Sequence, residues 1–311
     1  MGTGNGYGKT ILFGEHFVVY GLPAIASALG SKTEAEVKVI EGSSWEVDDQ
    51  RPATPGYKKK KYDEAQQAIQ NVIEHLNIDT STKKLQIRFS GDLFAASGVG
   101  ASAAQVTSLA RALDEEFNLG LSDEQINKAA YEGERGYHGT PSGIDNTVST
   151  FGGLIWFVRT AQDQPNIMEK VKAGKQMLLV IANTGVTTST TEVVEDVKQL
   201  KEDKPDEFGS YLSTYKGLVE EARVAVEAGD EVKVGELMDQ NHALLQKITV
   251  SGEVNDKLVA IARTNGALGA KMTGTGRGGL VIALAPDVAT QQQIAEAINQ
   301  EGYTTWLTTI G

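Results

Sequence analysis

Three glycine-rich turns, each joined to an apolar run, constrain this chain more than any other feature. They are GNGYGKT (4–10), SGVGASAA (97–104) and KMTGTGRGG (271–279), so together they reach across most of the 311 residues. Such turns form where backbone must come close to something, either an anion or a neighbouring element. Taken singly, each has a plain structural alternative in a tight packing loop or a hairpin. The first invites a P-loop reading through Gly8-Lys9-Thr10. The GxxxxGK[ST] spacing then requires glycine at position 3, where Thr3 stands, and ILFGEHFVVYG continues as strand-like sequence where a P-loop enters a helix. The Walker reading fails, and Lys9 is left as either an ordinary surface lysine or a functional one.

The second turn opens a helix near Ala101, with Val106, Leu109, Ala110, Leu113 and Phe117 on one face. A helix N-terminus carries partial positive charge and unpaired N–H groups. The small residues Gly98, Gly100 and Ala101 let phosphate oxygens reach those amides, and the Ser102 hydroxyl is a candidate Mg²⁺ ligand. A fourth segment, EGERGYHGTPSGIDNTVSTFGG, supplies carboxylates. Glu134 lies near the end of a predicted helix and Asp145 follows a Pro-Ser-Gly turn. One carboxylate can accept a hydroxyl proton while another holds a cation. The competing readings are a solvated helix face for Glu134 and a helix cap for Asp145.

The length favours two lobes over one core, with a boundary expected near 165, giving segments 1–165 and 166–311. The first forty residues read as several short strands (TILF, FVVY, AIASAL, AEVKVI), and a proline- and lysine-rich loop, QRPATPGYKKKK, leads into a helix over 63–76. Strands are expected at 85–89, 152–158 and 176–183, and Ser122 with Gln125 forms a capping-box signature at the start of a helix. The second half reads as helices over 190–203, 206–228, 230–248, 252–265 and 288–300, with strands at 267–273, 280–285 and 304–309. That mixture favours an α+β lobe.

A net charge of −12 argues against nucleic acid or an anionic membrane as partner. The absence of cysteine excludes disulfides and thiolate chemistry. No signal peptide and no run of 18 apolar residues is evident, so a cytoplasmic protein is expected.

Taken in order, the segments resemble the GHMP kinase superfamily, named for galactokinase, homoserine kinase, mevalonate kinase and phosphomevalonate kinase. GKTILFGEHFVVYG (8–21) is similar to the first family motif, SGVGASAA to the second and KMTGTGRGG to the third. Within the superfamily, GEHFVVYG and HGTPSGIDNTVSTFGG resemble the mevalonate kinase branch, and VDDQRPATPGY (47–57) with GTGRGG its trypanosomatid-like form. The resemblance implies a two-lobed α+β fold: an N-terminal α/β lobe with a mixed sheet, a C-terminal ferredoxin-like lobe, and an active site in the cleft between them. It implies Mg²⁺-dependent transfer of the ATP γ-phosphoryl group to the 5-hydroxyl of (R)-mevalonate, on the route to isoprenoids. A homodimer is one candidate assembly.

Carried over by motif, Asp145 is the expected base and Lys9 its partner, holding it ionised. Ser102 and Glu134 are the expected Mg²⁺ ligands. Ser97, Gly98, Val99, Gly100, Ala101, Ser102 and Ala103 are expected to line the triphosphate site, and Lys9, Glu15, His16, Asp145 and Thr187 the mevalonate site. Val99, Ala101 and Tyr7 depart from the family pattern without removing a functional group. Arg277 replaces a motif glycine, and either reaches a phosphate or points outward as a solvated residue. His75 and His242 read as structural or solvated, and His138 as shaping its turn. The alternatives are another GHMP small-molecule kinase or a catalytically silent protein of the same fold.

Overall fold

The computed structural model describes residues 1–95, 98–160, 164, 166–186, 188 and 190–311. The chain divides into two compact units, one formed by Met1–Lys9 with Ala28–Gly152 and the other by Thr10–Ser27 with Gly153–Gly311. Two long strands, β1 (Gly2–Phe13) and β2 (Ala24–Glu41), contribute to both. The expected boundary near 165 falls beside Pro165 and positions 161–163, which lie outside the described residues.

In the first unit, β2 is followed by β3 (Trp45–Asp49), α1 (Tyr57–Lys60), α2 (Tyr62–His75), β4 (Lys83–Ser90), α3 (Ala101–Phe117), α4 (Asp123–His138) and α5 (Ile144–Phe151). β4 lies between β3, parallel to it, and β2, antiparallel to it. Its burial alternates with period two: Leu85, Ile87 and Phe89 face the core. That core is closed by α2 through Ala68, Ile69, Val72 and Ile73, and by buried faces of α3 and α4. Ser122 caps α4 in the expected capping box with Gln125.

The glycine spacing of the N-terminus has a direct cause. A Cβ on Gly2, Gly4 or Gly6 would stand 2.2 Å from Ala112 O, 2.3 Å from Ser108 O and 2.3 Å from Ala104 O. These three carbonyls are successive turns along one face of α3, so alternate residues of β1 lie against bare helix backbone.

The second unit adds β5 (Leu154–Val158), β6 (Ile167–Val171), β7 (Met177–Asn183), α6 (Thr190–Asp203), α7 (Pro205–Ala228), α8 (Glu231–Lys247), α9 (Glu253–Thr264), β8 (Gly269–Thr273), β9 (Leu280–Ala285), α10 (Val288–Gln300) and β10 (Thr304–Ile310). Residues Ala24–Ser27 of β2 pair antiparallel with β5, and β5 pairs with β6. The remaining strands form an antiparallel sheet in the order β10-β7-β9-β8, the ferredoxin-like order, with α6–α8 inserted between its first strand and its first helix α9. Val180, Ala182, Val281 and Ala283 bury one face against Leu258, Val259, Ile294 and Ile298 of α9 and α10.

Two sequence expectations are corrected. The opening residues form long strands because Gly2, Gly4, Gly6 and Gly8 sit inside extended backbone instead of breaking it. FVVY is not a strand. Gly14 (φ 127) and His16 (φ 60) turn the chain out of extended geometry, and Val18–Tyr20 becomes a 3-10 turn closed by left-handed Gly21.

Candidate active site

Lys9 sits inside β1 and is only 4% exposed, so it is not a surface lysine. Its backbone N–H donates to the Val99 carbonyl at 2.8 Å, which ties the strand to the second glycine turn. Its ammonium lies 2.9 Å from Asp145 Oδ1. Gly100 is required for this path: its φ is +70, and a Cβ there would meet Lys9 Cγ at 2.6 Å. Gly100 is also the N-cap of α3, where no side chain satisfies the first-turn amides. Val99 and Ala101 are buried, and Ala103 is fully buried one position beyond Ser102. Ser97 lies outside the described residues.

Glu134 is 1% exposed, which overturns the solvated-face reading. Burial, reinforced by the charge of Asp145, pushes its carboxyl up to about 8, against the opposing pull of the Ser102 hydroxyl and Lys9. Its Oε1 has no hydrogen-bond partner. His138 Nε2 stands 3.8 Å from Glu134 Oε2, and partial desolvation holds that imidazole, 41% exposed, below its ordinary value. Asp145 is the second residue of α5, whose N-cap is Gly143, with 28% of its side chain exposed. It is not a helix cap. Lys9, Ser102, Glu134 and Asp145 therefore converge beside the N-terminus of α3, which is a cation, a hydroxyl and two carboxylates at a source of amide donors.

Arg51 belongs to the same neighbourhood, although its local sequence carries no sign of it. It is buried, forks onto Asp49 through Nε (3.0 Å) and Nη2 (2.7 Å), and donates from Nη1 to the Ala101 carbonyl at 3.1 Å. The end of β3 thus braces the first residue of α3.

In the second unit, Glu15 and His16 follow β1. Glu15 is fully buried and paired with the equally buried Lys271, whose ammonium also donates to Met272 O at 2.9 Å. Glu15 Oε2 has no partner. Beside this pair, Tyr215 stacks on Phe17 with centroids 4.0 Å apart and donates to Pro23 O at 2.7 Å. Burial, then the charge of Glu15, raises its phenol well above the ordinary value. His16 lies in a turn, not on a strand, with Nε2 2.7 Å from the Thr275 carbonyl. Burial holds it below its ordinary value and Arg277 adds to the effect, while the Thr275 carbonyl works against it. Arg277 is ion-paired with Asp196 and keeps 32% of its side chain exposed. His242 is structural: it is buried and bound to Asp256 at 3.1 Å. His75 is exposed at the end of α2. Thr187 lies outside the described residues.

Lys271 went unnoticed in the sequence, although a lysine inside the otherwise uncharged strand GAKMT is a signal that could have found it.

Two family models match the chain: the GHMP kinases N terminal domain over residues 64–153 and the GHMP kinases C terminal over 222–304. The mevalonate kinase of Thermococcus sibiricus is 33% identical over 313 residues, covering 94% of this chain and 91% of its own. That of Pyrococcus horikoshii is 34% identical, with coverage of 94% and 91%. Among solved structures, L. major mevalonate kinase in complex with R-mevalonate is 41% identical with a TM-score of 0.95, covering 100% of this chain and 96% of that one. Lactococcus lactis galactokinase, at 20% identity and a TM-score of 0.76, shares the fold.

Proposed function

The chain belongs to the GHMP kinase family, and from that premise we infer that it transfers the γ-phosphoryl group of ATP to the 5-hydroxyl of (R)-mevalonate. The products are 5-phosphomevalonate and ADP. The observation that carries the reading is the 2.9 Å contact between Lys9 and Asp145 beside the uncapped N-terminus of α3. Phosphoryl transfer asks for positioning and charge stabilisation more than covalent chemistry. Asp145 orients the 5-hydroxyl and receives its proton as the new O–P bond forms and the bond to the ADP oxygen breaks. Lys9 keeps the carboxylate in place and offers positive charge to the transferring group.

The donor set fits Mg²⁺. Glu134 has a buried oxygen without a partner, Ser102 brings a hydroxyl to the same carboxyl, and Mg²⁺ prefers oxygen ligands. Ser102 and Glu134 would hold the ion, which neutralises phosphate charge when bound. The stretch 97–103 is assigned to the triphosphate, and Glu15, His16 and Thr187 to mevalonate. Residues 1–165 then carry the nucleotide and the acid–base pair, with 166–311 as the C-terminal domain. A cytoplasmic setting belongs to the same proposal; no helix among the described residues is long and apolar enough to cross a membrane.

A coupled assay of ADP release against mevalonate, phosphomevalonate, homoserine and galactose tests the reading. Turnover is expected with mevalonate. Turnover with galactose or phosphomevalonate in its place would assign the chain to another branch, and no turnover with any substrate would indicate a silent member of the fold.

A further inference from the structure

The third glycine turn contains one residue that is not glycine yet adopts glycine's backbone. Between Gly276 (φ 89) and Gly278 (φ 138), Arg277 has φ 50. A side chain in that region costs on the order of 1 kcal/mol, and such strain persists only where surrounding contacts enforce it. Here they do. Arg277 Nε donates to the Thr249 carbonyl at 2.9 Å and Nη2 to Thr249 Oγ1 at 3.2 Å, while Nη1 pairs with Asp196 on α6. The backbone is equally engaged. Arg277 N–H donates to Val250 O at 2.8 Å, and the Thr188 hydroxyl donates to Arg277 O at 2.7 Å. Gly279 N–H donates to Val186 O at 2.8 Å, and Thr184 N–H to Gly279 O at 2.9 Å.

One residue therefore joins three segments: the α8–α9 turn, helix α6 and the chain leaving β7. All three guanidinium nitrogens are committed to protein acceptors, so the side chain is not held in reserve for a phosphate. The same turn presents the Thr275 carbonyl to His16 Nε2 at 2.7 Å.

We infer that Arg277 is a positioning residue for mevalonate recognition: it clamps the third glycine turn to α6 and the α8–α9 turn, which fixes the carbonyl that orients His16. It acts through His16 and touches neither reactant. The inference rests on the proposed function for its substrate and on the hydrogen bonds above for its mechanism. The Arg277 charge also disfavours protonation of His16, alongside burial and against the Thr275 carbonyl.

The test compares R277G, R277K and D196N. R277G installs the residue that the backbone prefers, so the variant retains the fold. Its KM for mevalonate is expected to rise about tenfold, while kcat and KM for ATP stay within about twofold. D196N shifts in the same direction by less. R277K recovers part of the loss, because an ammonium can meet Asp196 but cannot reproduce the fork onto Thr249. One readout is independent of turnover: hydrogen exchange at the amides of Thr184, Gly279 and position 277 is faster in R277G, because the hydrogen bonds they make to Gly279 O, Val186 O and Val250 O are no longer held by the clamp. A rise in KM for ATP with KM for mevalonate unchanged would make Arg277 a phosphate ligand and overturn the inference. Unchanged exchange at those amides would overturn it as well. If the wild type fails to turn over mevalonate, the proposed function falls, while exchange still decides the clamp.

Discussion

Replacing Lys271 with methionine tests how the second unit tolerates charge in its interior. Lys271 and Glu15 are both fully buried, and the lysine is held below its ordinary value by burial against the opposing charge of Glu15. Methionine keeps most of the volume and removes the ammonium. Glu15 Oε2 already lacks a partner, so the variant leaves the whole carboxylate uncompensated. Breaking a buried pair on one side costs about 3–5 kcal/mol, a large part of the roughly 5–15 kcal/mol that stabilises a typical domain. The double variant K271M/E15L removes the stranded charge as well and should recover most of the loss, giving a coupling energy of about 3 kcal/mol in the cycle.

Urea unfolding at fixed pH measures these differences. The pH dependence of K271M supplies a second check. A carboxyl stranded in the interior binds its proton more tightly than in the unfolded chain, whose value is near about 4.3. The folded variant then holds more protons than its unfolded form across that window, so its stability is greatest below the unfolded value and declines as pH rises. Its deficit relative to wild type should be smaller at pH 5 than at pH 8. A K271M variant within about 1 kcal/mol of wild type, with no gain from E15L, would refute the reasoning.

Three further outcomes follow from the site and the fold. Asp145→Asn should lower turnover by at least about 10²-fold while the Kd for mevalonate stays within about tenfold, or 1.4 kcal/mol; near-normal kcat would remove Asp145 from its role. Glu134, raised to about 8, is protonated in the folded chain between its unfolded value and about 8, so stability in chelator should fall across that window by up to about 5 kcal/mol. E134Q should lose this slope in urea titrations at pH 5 and pH 8.5, and an identical slope in both proteins would contradict the assignment. Gly4→Ala places a Cβ 2.3 Å from Ser108 O and 2.6 Å from Ala112 N, backbone atoms that cannot yield, and should cost about 1–3 kcal/mol in thermal unfolding; an unshifted midpoint would mean that the strand can lift off the helix.

The sequence made some parts of this molecule legible and hid others for physical reasons. The helices of the second half and the capping box at Ser122 follow from local periodicity and local chemistry, and both stand in the structure. β6 escaped because IMEKV is mostly exposed and so leaves little buried alternation to read. β3, five residues of mixed character, escaped similarly. At the site, Lys9, Ser102, Glu134 and Asp145 could be named from ordered motifs, yet nothing local said that Glu134 is buried. Arg51 and Lys271 act across 50 and 256 positions of sequence, and such pairings depend on tertiary packing that no local window contains. Arg277 was visible only as a departure from glycine; its partners at Thr249 and Asp196 required the fold.

The close packing of β1 on α3 also bears on how the amides at the start of that helix keep their place. Side-chain contacts are set by rotamers, which must be frozen on folding and still fluctuate afterwards. Gly2, Gly4 and Gly6 present backbone alone to Ala112, Ser108 and Ala104, so this contact has no rotamers to freeze or to rattle. Sliding the helix along its axis or rolling it would drive main chain into main chain. The entropic penalty sits in the unfolded state, where each glycine samples more conformations than alanine would, at about 0.5–1 kcal/mol per residue. Replacing glycine to recover that entropy, a common route to thermostability, is closed here by sterics. An N-terminus that resembles a flexible tail in composition is a fixed stop for the helix, and stability engineering has to begin elsewhere in the chain.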